Sequence, residues 1–164
     1  AVIKRIQYYL LAAEAMGANA AMVTCTTVGE ASRIARSYLS IPVFNIDEPM
    51  AKEAVGKGGR LGILATVPTS VAATRRLLEH EAALAGKKIT IEVGLSEEAF
   101  ACLQRNDVAG HDRLVCAELD KLAEKVDVLV LGQISLAQVR HQTRVPILQV
   151  GHSGFAEAKR LLNG

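Results

Sequence analysis

Leu61-Gly62-Ile63-Leu64-Ala65-Thr66-Val67-Pro68-Thr69-Ser70 decides the fold. Leu61 to Ala65 is a short apolar run that ends at a hydroxyl-rich corner carrying a proline, so it reads as a buried strand. A helix is expected next, over about 69–85. Working outward, the same strand-then-helix alternation continues in both directions. Upstream lie an amphipathic helix over about 1–16, with Ile3, Ile6, Leu10, Leu11 and Ala15 on one side, and Gly17 as its C-cap. Then come a strand over Ala20 to Thr24, a helix over about 28–38, a strand over Pro42 to Ile46 and a short helix over 49–56. Lys57-Gly58-Gly59-Arg60 interrupts the pattern as a candidate hinge. Downstream the reading gives a strand over Lys88 to Val93, helices over about 96–104 and 108–124, and a strand over Asp127 to Leu131. A helix over 135–142, a strand over Pro146 to Val150 and a helix over 154–162 complete it. Alternation of this kind implies an α/β fold with mostly parallel strands covered by helices on both faces. Ligands in such folds bind at the carboxyl ends of the strands, so the residues just after each strand are where chemistry is expected.

Composition narrows the classes. The chain has 164 residues, enough for one ordinary domain or two small, closely packed ones. Half of it is hydrophobic, which suits a folded core rather than disorder. A net charge of +2, with basic residues scattered and no aromatic residues among them, gives no footprint for a nucleic-acid partner. No apolar run approaches the roughly 18 residues of a membrane span. The start, Ala1-Val2-Ile3-Lys4, has neither the basic opening nor the cleavage site of a signal peptide. Three separated cysteines, Cys25, Cys102 and Cys116, form no CxxC pair and fit no zinc pattern. Free thiols and a cytoplasmic location are expected. No strand precedes the first helix and no initiator Met is present, so a preceding strand and helix are expected to be missing.

Two strand ends share a pattern. After Ala21 to Thr24 comes Cys25-Thr26-Thr27-Val28-Gly29-Glu30, in which Thr27 and Glu30 have capping-box spacing. After Val128 to Leu131 comes Gly132-Gln133-Ile134-Ser135-Leu136-Ala137-Gln138, in which Ser135 and Gln138 repeat it. Superimposing the boxes sets Cys25 against Gln133. A third strand end, Thr66-Val67-Pro68-Thr69-Ser70, offers hydroxyls and free backbone N–H groups to an anion. In the fourth, Asn45-Ile46-Asp47-Glu48-Pro49, Asp47 is expected to cap the following helix. A thiol between a strand end and a helix start lies near the positive end of the helix dipole, where a thiolate is favoured. Such a thiolate suits proton transfer beside a carboxylate held by hydroxyls and amides. A lone cysteine there also reads as a small core residue. Cys102 and Cys116 lie on apolar helix faces and are read as core fillers. His80, His111 and His141 are read as surface residues, while His152 is a candidate to face the cleft. No two histidines have ligand spacing with a carboxylate, so no metal is expected, and no phosphate loop is present.

At these residues the chain resembles the aspartate/glutamate racemase superfamily, which includes hydantoin racemases, maleate isomerases and arylmalonate decarboxylases. The resemblance is carried by Val23 to Thr27, Pro42 to Pro49, Gly62 to Thr69, and Asp127 to Gln133 with Ser135. It implies two similar α/β lobes with the active site between them: residues 1–56 plus 146–164 as lobe one, and 57–145 as lobe two. It implies Cys25 as the catalytic thiol, with Thr26, Thr27, Thr66, Thr69, Gln133 and Ser135 binding a small carboxylate substrate. No cofactor and no metal are implied, and a homo-oligomer is expected. The family's second cysteine falls on Gln133, and glutamine cannot act as an acid or base at neutral pH. Three activities follow as expectations: a cofactor-independent racemase or isomerase, a single-cysteine lyase of the decarboxylase kind, and a non-catalytic carboxylate-binding protein.

Overall fold

The computed structural model describes residues 2–163. Within them the chain runs α1 (Val2–Ala15), β1 (Ala21–Val23), α2 (Gly29–Ala35), β2 (Val43–Asn45), α3 (Glu48–Lys57), β3 (Arg60–Ala65) and α4 (Pro68–Leu84). It continues through β4 (Thr90–Leu95), α5 (Glu97–Gln104), α6 (Val108–Ala123), β5 (Val128–Leu131), β6 (Ile147–Gln149) and α7 (Val150–Asn163). Short 3-10 turns occupy Thr26–Val28, Arg36–Tyr38 and Ile134–Leu136. Strands form two parallel sheets, β1-β2 and β4-β3-β5-β6. This is the α/β architecture expected from the alternation.

The larger sheet shows why the sequence folds this way. Side chains along a strand alternate between faces. Leu61, Ile63, Val128 and Val130 point to one face and meet Met50, Ala51, Ala54 and Val55 of α3 and Leu77 and Leu78 of α4. Leu64, Leu129 and Leu131 point to the other and meet Val115, Leu119 and Leu122 of α6, together with Ala99 of α5. Both faces are dry, which is the reason β3 and β5 are apolar at nearly every position. The smaller sheet rests on a thinner core, in which Leu10, Ala35 and Val43 are buried and Ile6, Val23 and Ile41 only partly so.

The last segment is divided between the two. Its strand β6 joins β5 in the larger sheet, whereas the sequence reading takes 146–164 into lobe one as a unit. Helix α7 does cross over: at Gly154 a Cβ would lie 2.7 Å from the Ile46 carbonyl, so only glycine lets the helix approach the end of β2 this closely. The helix expected over 135–142 is absent. One 3-10 turn replaces it, Val139 turns inward to 4% exposure, and the carbonyls of Leu136 and Val139 accept from Gln149 Nε2 at 3.3 and 2.9 Å. The Leu136 carbonyl also accepts from the Val139 N–H at 3.2 Å, so the backbone closes a tight turn here and Gln149 caps it from a distance. Among the described residues no helix is long and apolar enough to cross a membrane.

Candidate active site

β1 and β5 end in the same way. Two residues after each strand, Cys25 and Gln133 take extended backbone conformations (φ −127°, ψ 110° and φ −102°, ψ 134°) and start a 3-10 turn. The superposition of Cys25 on Gln133 is therefore a repeat of local structure. Capping boxes are not what makes it. Neither turn has a side-chain cap, and α2 begins at Gly29 with Val28, not Thr27, in the cap position. Entry through a 3-10 turn moves Thr27 and Ser135 to the middle of their turns, where both hydroxyls are exposed. Asp47 does precede α3, but its side chain makes no capping bond.

Between the two turns lies a cleft of about 140 Å³ lined by Thr24, Cys25, Thr26, Thr27, Ser70, Gln133, Ile134 and Ser135. Cys25 is exposed. Larger hollows lie elsewhere on the surface, but neither contains a thiol or one of the expected site residues. Two of those expected residues do not reach the cleft wall. Thr66 is 0% exposed. Its N–H donates to Gln133 Oε1 at 2.6 Å, and its hydroxyl accepts from Gln133 Nε2 at 3.0 Å. Gln133 is thus clamped to the end of β3, and it also lies 3.4 Å from Ser135 Oγ. Thr69 is exposed outside the cleft, and its neighbour Ser70 takes the inward place. The phase of α4 selects between them: Ser70 belongs to the buried stripe with Ala73, Thr74, Leu77 and Leu78.

Behind Cys25 lies a polar layer built on Asn45, Asp47 and Glu48 of the fourth strand end, together with Ser32, which sequence reasoning missed. Asn45 and Ser32 are 1% and 0% exposed. Ser32 Oγ is 2.6 Å from Asn45 Oδ1, and Asn45 Nδ2 reaches the Cys25 carbonyl at 3.5 Å. Gly29 makes room for this amide, since a Cβ there would fall 2.5 Å from Asn45 Nδ2. Glu48, in the first turn of α3, accepts from Asn45 N–H at 3.2 Å and pairs with Arg36. Asp47 is 1% exposed. Burial pushes its carboxyl above the usual carboxylate range, against hydrogen bonding from Asn45 and Thr26 that pulls it down. Thr26 in turn donates to the Gly132 carbonyl at 2.5 Å and so ties the Cys25 turn to the Gln133 turn.

The other candidates fall outside the cleft. Cys102 is buried and Cys116 half-buried, where burial raises the Cys116 thiol with help from Asp112 and Asp120. His111 is no surface residue: it is 2% exposed, with Nδ1 2.7 Å from Asp112 Oδ1. Its spacing with Val115, Leu119 and Leu122 on α6 carried that signal. His80 and His152 are exposed, and His141 pairs with Asp120 on the surface. Among the described residues no three His, Cys, Asp or Glu side chains are grouped so as to hold a metal ion.

A sequence model of a family described as Asp/Glu/Hydantoin racemase matches residues 2–144. No curated protein sequence matches the chain. Solved structures do resemble it. A glutamate racemase isoform from Bacillus anthracis is 20% identical with a TM-score of 0.70, over 98% of this chain and 65% of that one. An aspartate racemase homologue from Pyrococcus horikoshii OT3 is 17% identical with a TM-score of 0.75, over 99% and 74%. Arylmalonate decarboxylase is 17% identical with a TM-score of 0.64, over 99% and 77%. At these identities the likeness is one of fold. The chain spans just under two thirds of the length of the glutamate racemase.

Proposed function

Because the chain belongs to the Asp/Glu/hydantoin racemase family, we propose that it is a cofactor-independent racemase or isomerase of a small amino acid or carboxylic acid, with Cys25 transferring the α-proton. The observation that carries this reading is an exposed thiol in a cleft whose other walls are hydroxyls, an amide and Ile134. The cleft would lie between a lobe of residues 1–56 plus 146–164 and a lobe of residues 57–145. In the proposed step, the thiolate of Cys25 takes the proton from the carbon next to the substrate carboxylate. An S–H bond forms, the C–H bond breaks, and the electron pair moves into the carboxylate as an enediolate. The hydroxyls of Thr27, Ser70 and Ser135 would hydrogen-bond the oxygens as their charge grows, which is where such donors lower a barrier. Inversion is completed when a water on the opposite face gives its proton to carbon and the hydroxide left behind takes the proton from the Cys25 thiol; return of the proton from Cys25 restores the starting enantiomer. Thr26, Thr66 and Gln133 act less directly in this reading, since each is already engaged in hydrogen bonds within the protein.

A second reading is a lyase. It is favoured by the amide of Gln133, which stands where a second thiol would have to act. Decarboxylation breaks the bond from the α-carbon to one carboxylate and releases carbon dioxide. The resulting enediolate needs only one proton, which the Cys25 thiol can give. Incubation with chiral amino acids and substituted malonates in deuterated water separates the readings, with Cys25→Ala as control. Cys25-dependent deuterium incorporation with inversion supports the racemase. Release of carbon dioxide moves the assignment to the lyase. Neither reaction, on compounds that demonstrably bind, leaves a carboxylate-binding protein.

A further inference from the structure

Among the described residues Asp47 is the one buried carboxylate beside the cleft, and its Oδ1 has no hydrogen-bond partner among them. It lines a small cavity together with Thr26, Thr27, Gly29, Glu30, Arg33, Ala73, Arg76 and Leu77. Thr26 lines this cavity beside Asp47, and its one hydroxyl proton goes to the Gly132 carbonyl, with the Asp47 carboxyl as a second acceptor on the same wall. It can serve only one of them at a time. The Gly132 bond joins residues 106 apart in sequence, and it is the tie between the two turns that form the cleft.

We propose that Asp47 is a positioning residue that sets this tie by its protonation state. A neutral Asp47 donates its own proton to Thr26 Oγ1, and Thr26 donates to the Gly132 carbonyl, so the Cys25 and Gln133 turns are held together. An ionised Asp47 draws the Thr26 proton to itself, and the Gly132 bond is lost. The charged groups facing Asp47 are Glu30 and Arg33 of α2, Glu48 of α3 and Arg76 of α4; no α7 side chain lines the cavity. Burial holds the carboxyl neutral to a higher pH than an exposed aspartate. The inference rests on the reading of this cleft as the active site, but its test needs no substrate.

The Gln133 amide belongs to the same peptide group as the Gly132 carbonyl, so its nitrogen-15 and proton shifts report the tie. In a Cys25→Ser background these shifts are followed from about pH 4 to pH 8. The expected result is a single titration at Gln133 that disappears in Asp47→Asn, with the remaining spectrum still dispersed. Should Asp47→Asn fail to fold, Thr26→Val carries the same test: Asp47 remains and the Gln133 titration goes. A Gln133 amide that does not titrate, or one that titrates unchanged in Asp47→Asn or Thr26→Val, overturns the proposal. Such a failure would leave the deuterium-exchange experiment untouched, and a negative exchange experiment would leave the titration result standing.

Discussion

Cys25 and Gln133 begin equivalent turns after equivalent strands, yet they stand on very different foundations. β5, which leads to Gln133, is buried at all four positions and lies inside the four-stranded sheet. β1, which leads to Cys25, is three residues long, only partly buried, and paired with β2 alone among the described residues. Gln133 spends both ends of its amide on Thr66, whereas the Cys25 thiol is open to solvent. The repeated unit has been used twice, once to anchor and once to expose a reactive group. A well-packed sheet fixes one wall of the cleft, and Thr26 ties the turn after the thin sheet to it through the Gly132 carbonyl. A side chain committed to packing or to internal hydrogen bonds is not free to bind.

The largest effect that would sharpen this contrast is on activity. Cys25→Ala should lower α-carbon deuterium exchange by about two to four orders of magnitude, with an unchanged denaturation midpoint because the thiol packs against little. A variant that keeps the parental exchange rate would remove Cys25 from the mechanism. Next comes the anchoring side. Leu129, 0% exposed in the larger sheet, should cost about 2–5 kcal/mol when cut to alanine, and Val23→Ala, in the thin core, clearly less. Urea titrations of both variants check this, and equal losses would break the distinction between the two sheets. Gln133→Ala should cost about 1–3 kcal/mol, because it strands the buried N–H of Thr66. Differential denaturation against the parent reads that value, and no loss would mean the clamp holds nothing.

The smallest effect is one of pH, with opposite signs in the two regions. Asp127 accepts from the N–H groups of Gly59 and Arg60 and from the Arg60 guanidinium, which holds its carboxyl below the usual range. A depressed carboxylate contributes stability above its unfolded pKa and loses it as pH falls through the folded one. Asp47 is raised, so its neutral form favours the fold at low pH and that contribution is lost as pH rises through its folded pKa. Asp127→Asn should therefore flatten the acid limb of the stability profile. Asp47→Asn should flatten its decline toward neutral pH. Denaturation midpoints at several pH values read both, and the same slope change in the two variants would refute this assignment.

Much of the fold could be read from residue order because burial leaves a periodic imprint. Leu61 to Ala65 and Val128 to Leu131 are covered on two faces, so they are apolar throughout, and the helices between them carry stripes. Cys25, Gln133 and Ser135 stood out for a related reason, as polar or reactive groups placed just past apolar strands. Thr66 and Thr69 were harder. Both look like available hydroxyls in sequence, but one is taken up by Gln133 and the other is turned outward by the phase of α4. Over 135–142 a 3-10 turn stands in place of a helix, and the Leu136 and Val139 carbonyls accept from Gln149, a partner no local pattern announces.

By itself, then, the order of residues determined the α/β class, the strand ends that line the cleft and the equivalence of Cys25 with Gln133, since each depends on contacts within a few residues or on a repeating face. Only the tertiary structure decided which hydroxyls are free, that Asp47 is buried beside Thr26, and that Thr26 ties one turn to the other. Those outcomes depend on hydrogen bonds between groups far apart in the chain, and a donor with one proton can be assigned only when all of its acceptors are in place.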